Sequence, residues 1–301
     1  MVFRNSDLPD LFHHTDKIAI SRQREAVGAI RHQLLLLVAG AALAALPSSW
    51  TLGDTFRLPS ALSALAYAGV LLLSFRSSRR RAKSHWQLNR SAAEFIKSMC
   101  WRYAVHGAPF DSNSTDADAL FTTRLEEGLR ELTKVGWEDP RTGTEGGPVA
   151  GELITTPMRR LRAKAFSVRK ETYVRDRLIE QRNWYHRRKE ISRRATLLWS
   201  ASIGLLTMLA LFLALLRTLS LAGSVDLAGL LSASAAACLA WSEIRRHQPL
   251  IAAHSLVEED LAAMHTAMET TVSDVEWPSA VYETERIVSP QHTDWLVRHR
   301  S

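Results

Sequence analysis

The fold is decided by the sequence RRKEISRRATLLWSASIGLLTMLALFLALLR, which runs from Arg187 to Arg217. Five of its first eight residues are basic, and the following segment, Ala195 to Leu216, contains no Asp, Glu, Lys or Arg. The hydrocarbon core of a bilayer is about 30 Å thick, so a helix needs roughly 17–25 apolar residues to cross it. The segment therefore predicts a membrane-spanning helix with a basic flank at its amino-terminal end.

Three more apolar stretches extend this pattern to two hairpins. The first hairpin pairs residues 34–50 with residues 58–75. The second pairs residues 195–216 with a stretch that ends at Trp241 and reaches span length if it begins near Leu221. Backbone groups in lipid must bond within their own segment, so all four stretches are expected to be helices. We predict an all-α membrane protein with two transmembrane helical hairpins and long cytoplasmic helical extensions.

Basic residues flank the spans on one side only, and this sets the predicted orientation. They lie before the first span, after the second, before the third and after the fourth, whereas each connecting loop carries one arginine, Arg57 or Arg217. Lys and Arg remain on the cytoplasmic side of a membrane. We therefore expect a multi-pass protein of the inner (plasma) membrane with both termini in the cytoplasm. The arginines expected to contact lipid head groups are Arg79, Arg80, Arg81, Arg187, Arg188, Arg193 and Arg194.

The net charge of +7 raises two alternatives, a soluble helical protein and a nucleic-acid-binding protein. Core helices of soluble proteins seldom run this long without a charge, which disfavours the first. Residues 158–194 hold fourteen Lys and Arg against four Asp and Glu, so the basic character lies mainly in the approach to the third span. Basic residues next to a span set its orientation in the membrane and contact anionic lipid. Their location therefore favours these roles over binding to nucleic acid.

Composition also suggests two modules. Residues 139–156 are rich in Gly, Pro and Thr and have no apolar period, so we expect a linker there, between a first module, 1–138, and a second module, 157–301. Thr156 before Pro157 predicts a helix start. Pro249 is expected to kink the helix that follows the fourth span, and Pro278 to end it. Val257, Leu261, Met264, Met268, Val272 and Val275 are spaced as a packing seam of that helix.

Charge segregates between the helical extensions of the second hairpin. Eight acids and no Lys or Arg lie between His247 and Glu285, whereas the approach to the third span is basic. In a hairpin the two extensions run side by side, which places Glu258–Glu276 level with the region of Arg162–Arg177. We expect an acidic helix to pack against a basic one. The alternative is that both are ordinary solvated surfaces, whose exposed pairs contribute only about 0–1 kcal/mol each.

Three stretches resemble a known family. They are KSMCWRYAVHGAPF (Lys97–Phe110), YVRDRLIEQRNWYHRRK (Tyr173–Lys189) and TERIVSPQHTDWLVRHR (Thr284–Arg300). Together they resemble SLATT, the SMODS and SLOG-associating two-transmembrane effector domain, in a tandem two-module form. The resemblance covers nearly the whole chain, with Gln291 in place of the glutamate usual in the tail. It implies a membrane effector of prokaryotic conflict (anti-phage) systems that permeabilises the membrane on a nucleotide-linked signal.

We find no reactive constellation and expect no catalytic residue, metal ligand, cofactor-binding residue or enzymatic activity. Within the spans, hydroxyl side chains form two weak stripes that either line a poorly selective aqueous path or make interhelical hydrogen bonds. These candidate pore-lining residues are Ser60, Ser63, Tyr67, Ser74, Thr196, Ser200 and Thr207. The fourth span carries a ridge of small residues that permits close helix packing, Gly229, Ala233 and Ala237.

Two functions agree with these features. The first is a membrane effector that forms homo-oligomers and permeabilises the inner membrane, with a nucleotide second messenger or a nucleotide-sensing protein as its partner. The second is a membrane anchor or scaffold without a pore, which recruits soluble signalling partners. In both, the lipid membrane is a partner and nucleic acid is not.

Overall fold

The computed structural model describes residues 1–46, 51–52, 56–80, 82–112, 115–142, 151–219 and 225–288, with side chains throughout except at residues 51–57 and 76–85. Contacts divide the chain into two compact units. We call Met1–Gln23, Lys83–Arg188 and Ala253–Ser301 the core unit, and Arg24–Ala82 with Lys189–Ala252 the span unit. Each unit takes residues from both halves of the sequence.

The described secondary structure is helical apart from one pair of two-residue strands, as the sequence predicts for an all-α membrane protein. A 3-10 turn at Asn5–Asp7 comes first. The helices are α1 (Asp10–Ala45), α2 (Leu58–Arg80), α3 (Ala82–Ala104), α4 (Ala117–Lys134), α5 (Thr156–Arg162), α6 (Phe166–Tyr173), α7 (Glu180–Thr218), α8 (Leu227–Arg245), α9 (His247–Thr270) and α10 (Trp277–Val288). A π-helical segment, Val174–Ile179, joins α6 to α7.

Four helical stretches are long and apolar enough to cross a membrane: Asp10–Ala45, Leu58–Phe75, Phe166–Thr218 and Leu227–Thr270. They contain the predicted spans except at two ends: residues 46, 225 and 226 are not helical, and residues 47–50 and 221–224 lie outside the described residues. Large apolar side chains cover the outside of these helices; Leu72 is 71% exposed and Leu198 69%. Exposed leucine at this density requires an apolar solvent, so the helices are suited to lipid.

The first hairpin is closed by polar contacts inside the span unit. Strand β1 (Thr51–Leu52) pairs antiparallel with β2 (Phe56–Arg57) at the turn. The Ser63 hydroxyl donates to the Gly40 carbonyl at 2.8 Å, and Gln33 Nε2 donates to Ser74 Oγ at 3.1 Å. The Tyr67 ring lies where a side chain on Gly40 would project, so glycine lets α1 and α2 approach closely there.

The core unit is organised around one hydrophobic core, which includes side chains of α1, α3, α4, α5, α9 and α10. Helix α4 is capped by Asp116, whose Oδ1 accepts from the Ala119 N–H at 3.0 Å. Its apolar stripe is buried at Phe121, Leu125, Leu129 and Leu132. Each fully buried leucine of this kind contributes about 1.5–3 kcal/mol relative to an exposed one.

Three predicted helix ends are wrong by a few residues. Helix α5 is capped by Thr155 rather than Thr156, because the Thr155 hydroxyl is the one that reaches the Met158 N–H. The break after the fourth span falls at Arg246, which has a left-handed backbone with φ of 50°. Pro249 follows in the first turn of α9, where its missing N–H removes no helical hydrogen bond.

The end of α9 is the third correction. The helix stops at Thr270, and Pro278 lies in the first turn of a new helix, α10, instead of ending the old one. The Ser273 N–H and hydroxyl both donate to Glu276 Oε2, which fixes the turn between the helices. Leu261 and Met268 of the predicted seam are buried, but Val275 is 90% exposed because it follows the end of α9.

Candidate functional site

The centre of the core unit holds a buried ion pair between Arg177 and Glu285. Arg177 Nε donates to Glu285 Oε1 at 2.9 Å and Nη2 to Oε2 at 2.7 Å, and the two side chains are 1% and 2% exposed. The Tyr173 hydroxyl also donates to Glu285 Oε1, at 2.9 Å. Removing one partner of such a pair typically costs about 3–5 kcal/mol, because it leaves the other charge buried and uncompensated.

Arg177 lies in the π-helical segment, which continues directly into α7 and thus into the third span. Such wide turns are rare and occur frequently at functional sites. Glu285 lies on α10, near the end of the described chain. The ion pair therefore joins the last described helix to the helix that carries the third span.

A third charged side chain, Lys97 of α3, lies in the same buried region and is 8% exposed. Burial lowers the pKa of Lys97 to about 8, and the positive charge of Arg177 adds to this effect, while Glu94, Glu180 and Glu285 oppose it. Burial also opposes the charge on Arg177, but Glu285 more than offsets it and raises the pKa of the guanidinium. Lys97 and Arg177 are thus both stabilised in their charged forms by the negative charge of Glu285.

Each of the three motifs that carry the family resemblance contributes at least one described residue to this cluster. Lys97 belongs to the first motif, Tyr173 and Arg177 to the second, and Glu285 to the third. Sequence reasoning did not predict the cluster. Each motif does contain a charged or phenolic residue next to apolar positions, which is typical of a buried polar side chain. Sequence spacing alone, however, does not show that Arg177 pairs with Glu285, 108 residues away.

A second junction in the core unit joins α3 to α5 through Arg162. Arg162 Nη1 donates to the Tyr103 carbonyl at 2.7 Å and to the Phe110 carbonyl at 2.9 Å, and its guanidinium lies 4.8 Å from the centre of the Tyr103 ring. His106, which has a left-handed backbone, places Nε2 3.1 Å from the Arg162 carbonyl. Burial, followed by the charge of Arg162, lowers the pKa of His106 to about 4.

The predicted pairing of acidic with basic helices is only partly correct. Helix α9 does lie beside the segment before the third span, since His186 Nδ1 lies 2.8 Å from Glu258 Oε1, and just after α9 the Val272 carbonyl accepts from Lys170 Nζ at 3.3 Å. The prediction placed Glu258 level with the region that ends at Arg177, nine residues or about two and a half helical turns away from His186. It counted residues as if the helical rise were constant from the fourth span to Glu258, whereas the left-handed Arg246 separates α8 from α9.

The basic residues named in that prediction have other partners. Arg175 pairs with Asp176 at 2.7 Å and with Glu171 at 2.9 Å, both on its own helix. Arg177 pairs with Glu285, and Arg162 with backbone carbonyls. Local and buried partners therefore replace the expected row of contacts with α9.

The candidate pore-lining residues lie on the span unit and have different surroundings. Ser60, Ser200 and Thr207 are exposed, and Tyr67 and Ser74 are exposed in part but also contact α1, at Gly40 and Gln33 respectively. Ser63 is buried and makes the interhelical bond to Gly40, the alternative role for these hydroxyls. Thr196 and Ser74 donate to carbonyls one turn earlier, at Ser192 and Val70. Lining of an aqueous path stays a prediction for all seven.

The small-residue ridge begins at the first turn of α8. The Gly229 N–H donates to the Asp226 carboxylate that caps this helix, and a side chain on Gly229 would meet the same carboxylate. A side chain on Gly229 would therefore require the Asp226 carboxylate to shift, which makes Gly229 a poor position for a test of helix packing. Ala233 and Ala237 are half-buried in the described chain and remain the packing positions that a substitution can test.

The arginines predicted to contact lipid head groups are exposed where the structure describes their side chains. Arg187, Arg193 and Arg194 are exposed, and the Arg188 guanidinium lies 5.2 Å from the centre of the Trp184 ring. The side chains of Arg79, Arg80 and Arg81 lie outside the described residues. Among the described residues no group of His, Cys, Asp or Glu is arranged to hold a metal ion.

Comparison with known families gives two matches in tandem. Residues 9–170 match the SMODS and SLOG-associating 2TM effector domain 3, and residues 173–295 match the SMODS and SLOG-associating 2TM effector domain 1. No curated protein and no solved structure matches the chain. The matched ranges meet near the end of α6, while the predicted linker at 139–156 rests on composition and stays a prediction.

Four apolar helices of spanning length, together with two matches to two-transmembrane effector domains, define a membrane protein of the effector class. The chain belongs to the SLATT family and carries two of its domains in tandem.

Proposed function

We propose that this protein is an inner-membrane effector that assembles into homo-oligomers and permeabilises the membrane when a nucleotide-linked signal acts on its core unit. The observation that carries the proposal is the continuous helical stretch Phe166–Thr218, which contains both the buried Arg177 and the third span. A rearrangement at the ion pair therefore acts on the same helix that crosses the bilayer. The proposal assigns no catalytic reaction to the chain.

The proposed orientation places the core unit and both termini in the cytoplasm. Its support is the distribution of basic residues, which lie on one side of all four spans. Exposed Arg187, Arg193 and Arg194 are suited to the anionic head groups of the cytoplasmic leaflet, at about 1 kcal/mol per basic residue near the surface. A cytoplasmic signal then has direct access to the core unit.

The proposed path through the membrane is poorly selective. The stretches Leu58–Phe75 and Ala195–Leu216 contain no charged residue, and apart from the indole N–H of Trp199 their polar side-chain groups are hydroxyls. Strong selectivity in channels depends on rings of charged side chains or of backbone carbonyls. Hydroxyls of Ser, Thr and Tyr provide neither, so cations and anions are expected to pass at similar rates.

Purified protein in liposomes that contain one cationic and one anionic dye provides the test. Once the protein is activated, both dyes should escape at rates within a factor of a few of each other, and dyes above a size limit should be retained. Retention of both small dyes by liposomes that contain normal oligomers, in the presence of every candidate nucleotide and partner, would favour a scaffold that recruits soluble proteins.

A further inference from the structure

The core unit contains an open cleft of about 880 Å³ between α3, α4 and α10. Its size is within the usual range for small-molecule sites, roughly 300–1,000 Å³. Neither the ion-pair cluster nor the spans account for it. The side chains that determine its chemistry are Phe95, Arg102, Arg124, Arg130, Lys134 and Tyr282.

Positive charge predominates in the cleft. Its four cations face two acids, and each acid pairs with a cation on its own helix: Glu127 with Arg124 at 3.2 Å and Glu131 with Lys134 at 2.7 Å. Arg102 and Arg130 form no ion pair among the residues that the structure describes. The side chains that line the cleft therefore carry a net charge of +2, from four cations and two acids.

Arg102 is held in place before any ligand arrives. Its Nε donates to the Ala108 carbonyl at 2.7 Å, and its guanidinium lies 4.6 Å from the centre of the Tyr282 ring. The side chain is half-buried, and burial lowers the pKa of its guanidinium. An anion next to Arg102 would offset this cost of burying its charge, and the planar guanidinium is suited to two parallel hydrogen bonds with phosphate oxygens.

Two aromatic side chains also line the cleft, Phe95, which is 9% exposed, and Tyr282. A side chain on Gly128 would overlap the Phe95 ring, so glycine at this position keeps that ring in the wall of the cleft. The Tyr282 ring is 39% exposed beside Arg102. Aromatic rings next to cations provide a surface for a flat organic group attached to a charged one.

We propose that this cleft is a binding site for a small organic phosphate, with Arg102 and Arg130 on the phosphate groups and Tyr282 and Phe95 on the organic part. As a binding site it is independent of the proposed function. The further statement that such a ligand is the signal for permeabilisation rests on the proposed function.

The test is binding by the full chain in detergent, measured by calorimetry with ATP, tripolyphosphate and adenosine as probes. ATP should bind, tripolyphosphate should bind more weakly and adenosine should not bind detectably. Arg130→Glu should weaken ATP binding by about tenfold or more, since a charged hydrogen bond is lost and a like charge is added. Lys134→Glu should act in the same direction.

The matched control is Arg160→Glu, the same charge change at an exposed residue of α5 that does not line the cleft. It should leave ATP binding within about twofold. Vesicles with and without phosphatidic acid, tested as competitors, distinguish a lipid phosphate from a soluble one. No binding of any phosphate probe, or equal effects of Arg130→Glu and Arg160→Glu, would overturn the site.

The outcomes separate this inference from the proposed function. Dye leakage without binding of any phosphate probe would refute the binding site and still support permeabilisation. Binding that depends on Arg130, in liposomes that stay tight, would establish the site and refute permeabilisation by that ligand.

Discussion

Arg177 and Glu285, 108 residues apart in the sequence, form a bidentate ion pair that is almost completely shielded from water. Arg177 precedes the third span on a continuous helical stretch, and Glu285 lies on the last described helix. Charges in a low-dielectric interior interact strongly, so the position of α10 is coupled to that of the helix entering the third span. This coupling is the physical basis of the first and the last of the predictions below.

The first prediction is that Arg177→Met or Glu285→Leu alone lowers the free energy of unfolding of the core unit by about 3–5 kcal/mol, because either leaves a buried charge without its partner. The double variant should recover part of this loss, because it removes both paired charges but leaves the Tyr173 hydroxyl and the Lys97 ammonium without Glu285. Denaturant unfolding in detergent, followed by tryptophan fluorescence, measures all three.

Glu283 and Arg286 provide the matched control on the same helix. They pair at 2.8 Å but are each 50% exposed. Removing either charge should change the free energy of unfolding by less than about 1 kcal/mol. A double variant at Arg177 and Glu285 whose loss equals the sum of the single losses would show that the two residues are not energetically coupled.

The second prediction concerns pH. Burial lowers the pKa of His106 to about 4, so the unfolded chain binds this proton at a higher pH than the folded protein does. The contribution of His106 to stability is therefore complete above pH of about 6.5 and decreases as the pH falls toward about 4. His106→Asn keeps a residue type that tolerates the left-handed backbone but removes the titration.

Thermal unfolding of both proteins at several pH values between 6.5 and 4 provides the measurement. The wild type should lose more stability than His106→Asn over this range, while the carboxylates titrate in both. Identical pH profiles of the wild type and His106→Asn would mean that the pKa of His106 is the same in the folded and unfolded protein.

The third prediction is the orientation in the membrane. In a background with Cys100→Ala and Cys238→Ala, a cysteine at Thr218 should react with an impermeant thiol reagent in intact cells, whereas one at Ser112 should react only after lysis. Both residues are exposed in the structure, so accessibility depends on the side of the membrane alone. Labelling of Ser112→Cys in intact cells would reverse the assignment.

The fourth prediction concerns assembly through α8. Ala233→Leu with Ala237→Leu should reduce the oligomer fraction and the dye leakage together, because larger side chains prevent close approach of helices. Gly229 is left unchanged, since a side chain there would displace the Asp226 cap. Ala214→Leu, an equal enlargement at an exposed position of α7, is the control. Normal oligomers from the double variant would place the interface elsewhere.

The sequence was sufficient for features that depend on local composition. Charge-free stretches predicted the spans, and a leucine stripe preceded by three possible caps, Ser114, Thr115 and Asp116, predicts α4. Each of these signals lies within a single continuous segment of the sequence. Helix ends were less predictable, because Thr155 and Thr156 are equally good caps by type and only the backbone geometry selects Thr155.

The buried cluster could not be predicted in the same way. Arg175 and Arg177 are both basic residues of one motif, yet Arg175 pairs on the surface with Glu171 and Arg177 is buried against Glu285. Which of them points inward depends on the phase of the helix, and the π-helical segment changes that phase. The partner on α10 in turn depends on the break between α9 and α10.

The most direct test of the central claim is dye leakage from liposomes that contain Glu285→Gln, compared with the wild type and with Glu283→Gln. If the ion pair holds the spans closed, Glu285→Gln should release small cationic and anionic dyes several times faster than the other two and retain large ones. Adding Ala233→Leu and Ala237→Leu to Glu285→Gln should suppress the release. Equal leakage from all three proteins, with each present as a folded oligomer, would contradict control of the spans by this pair.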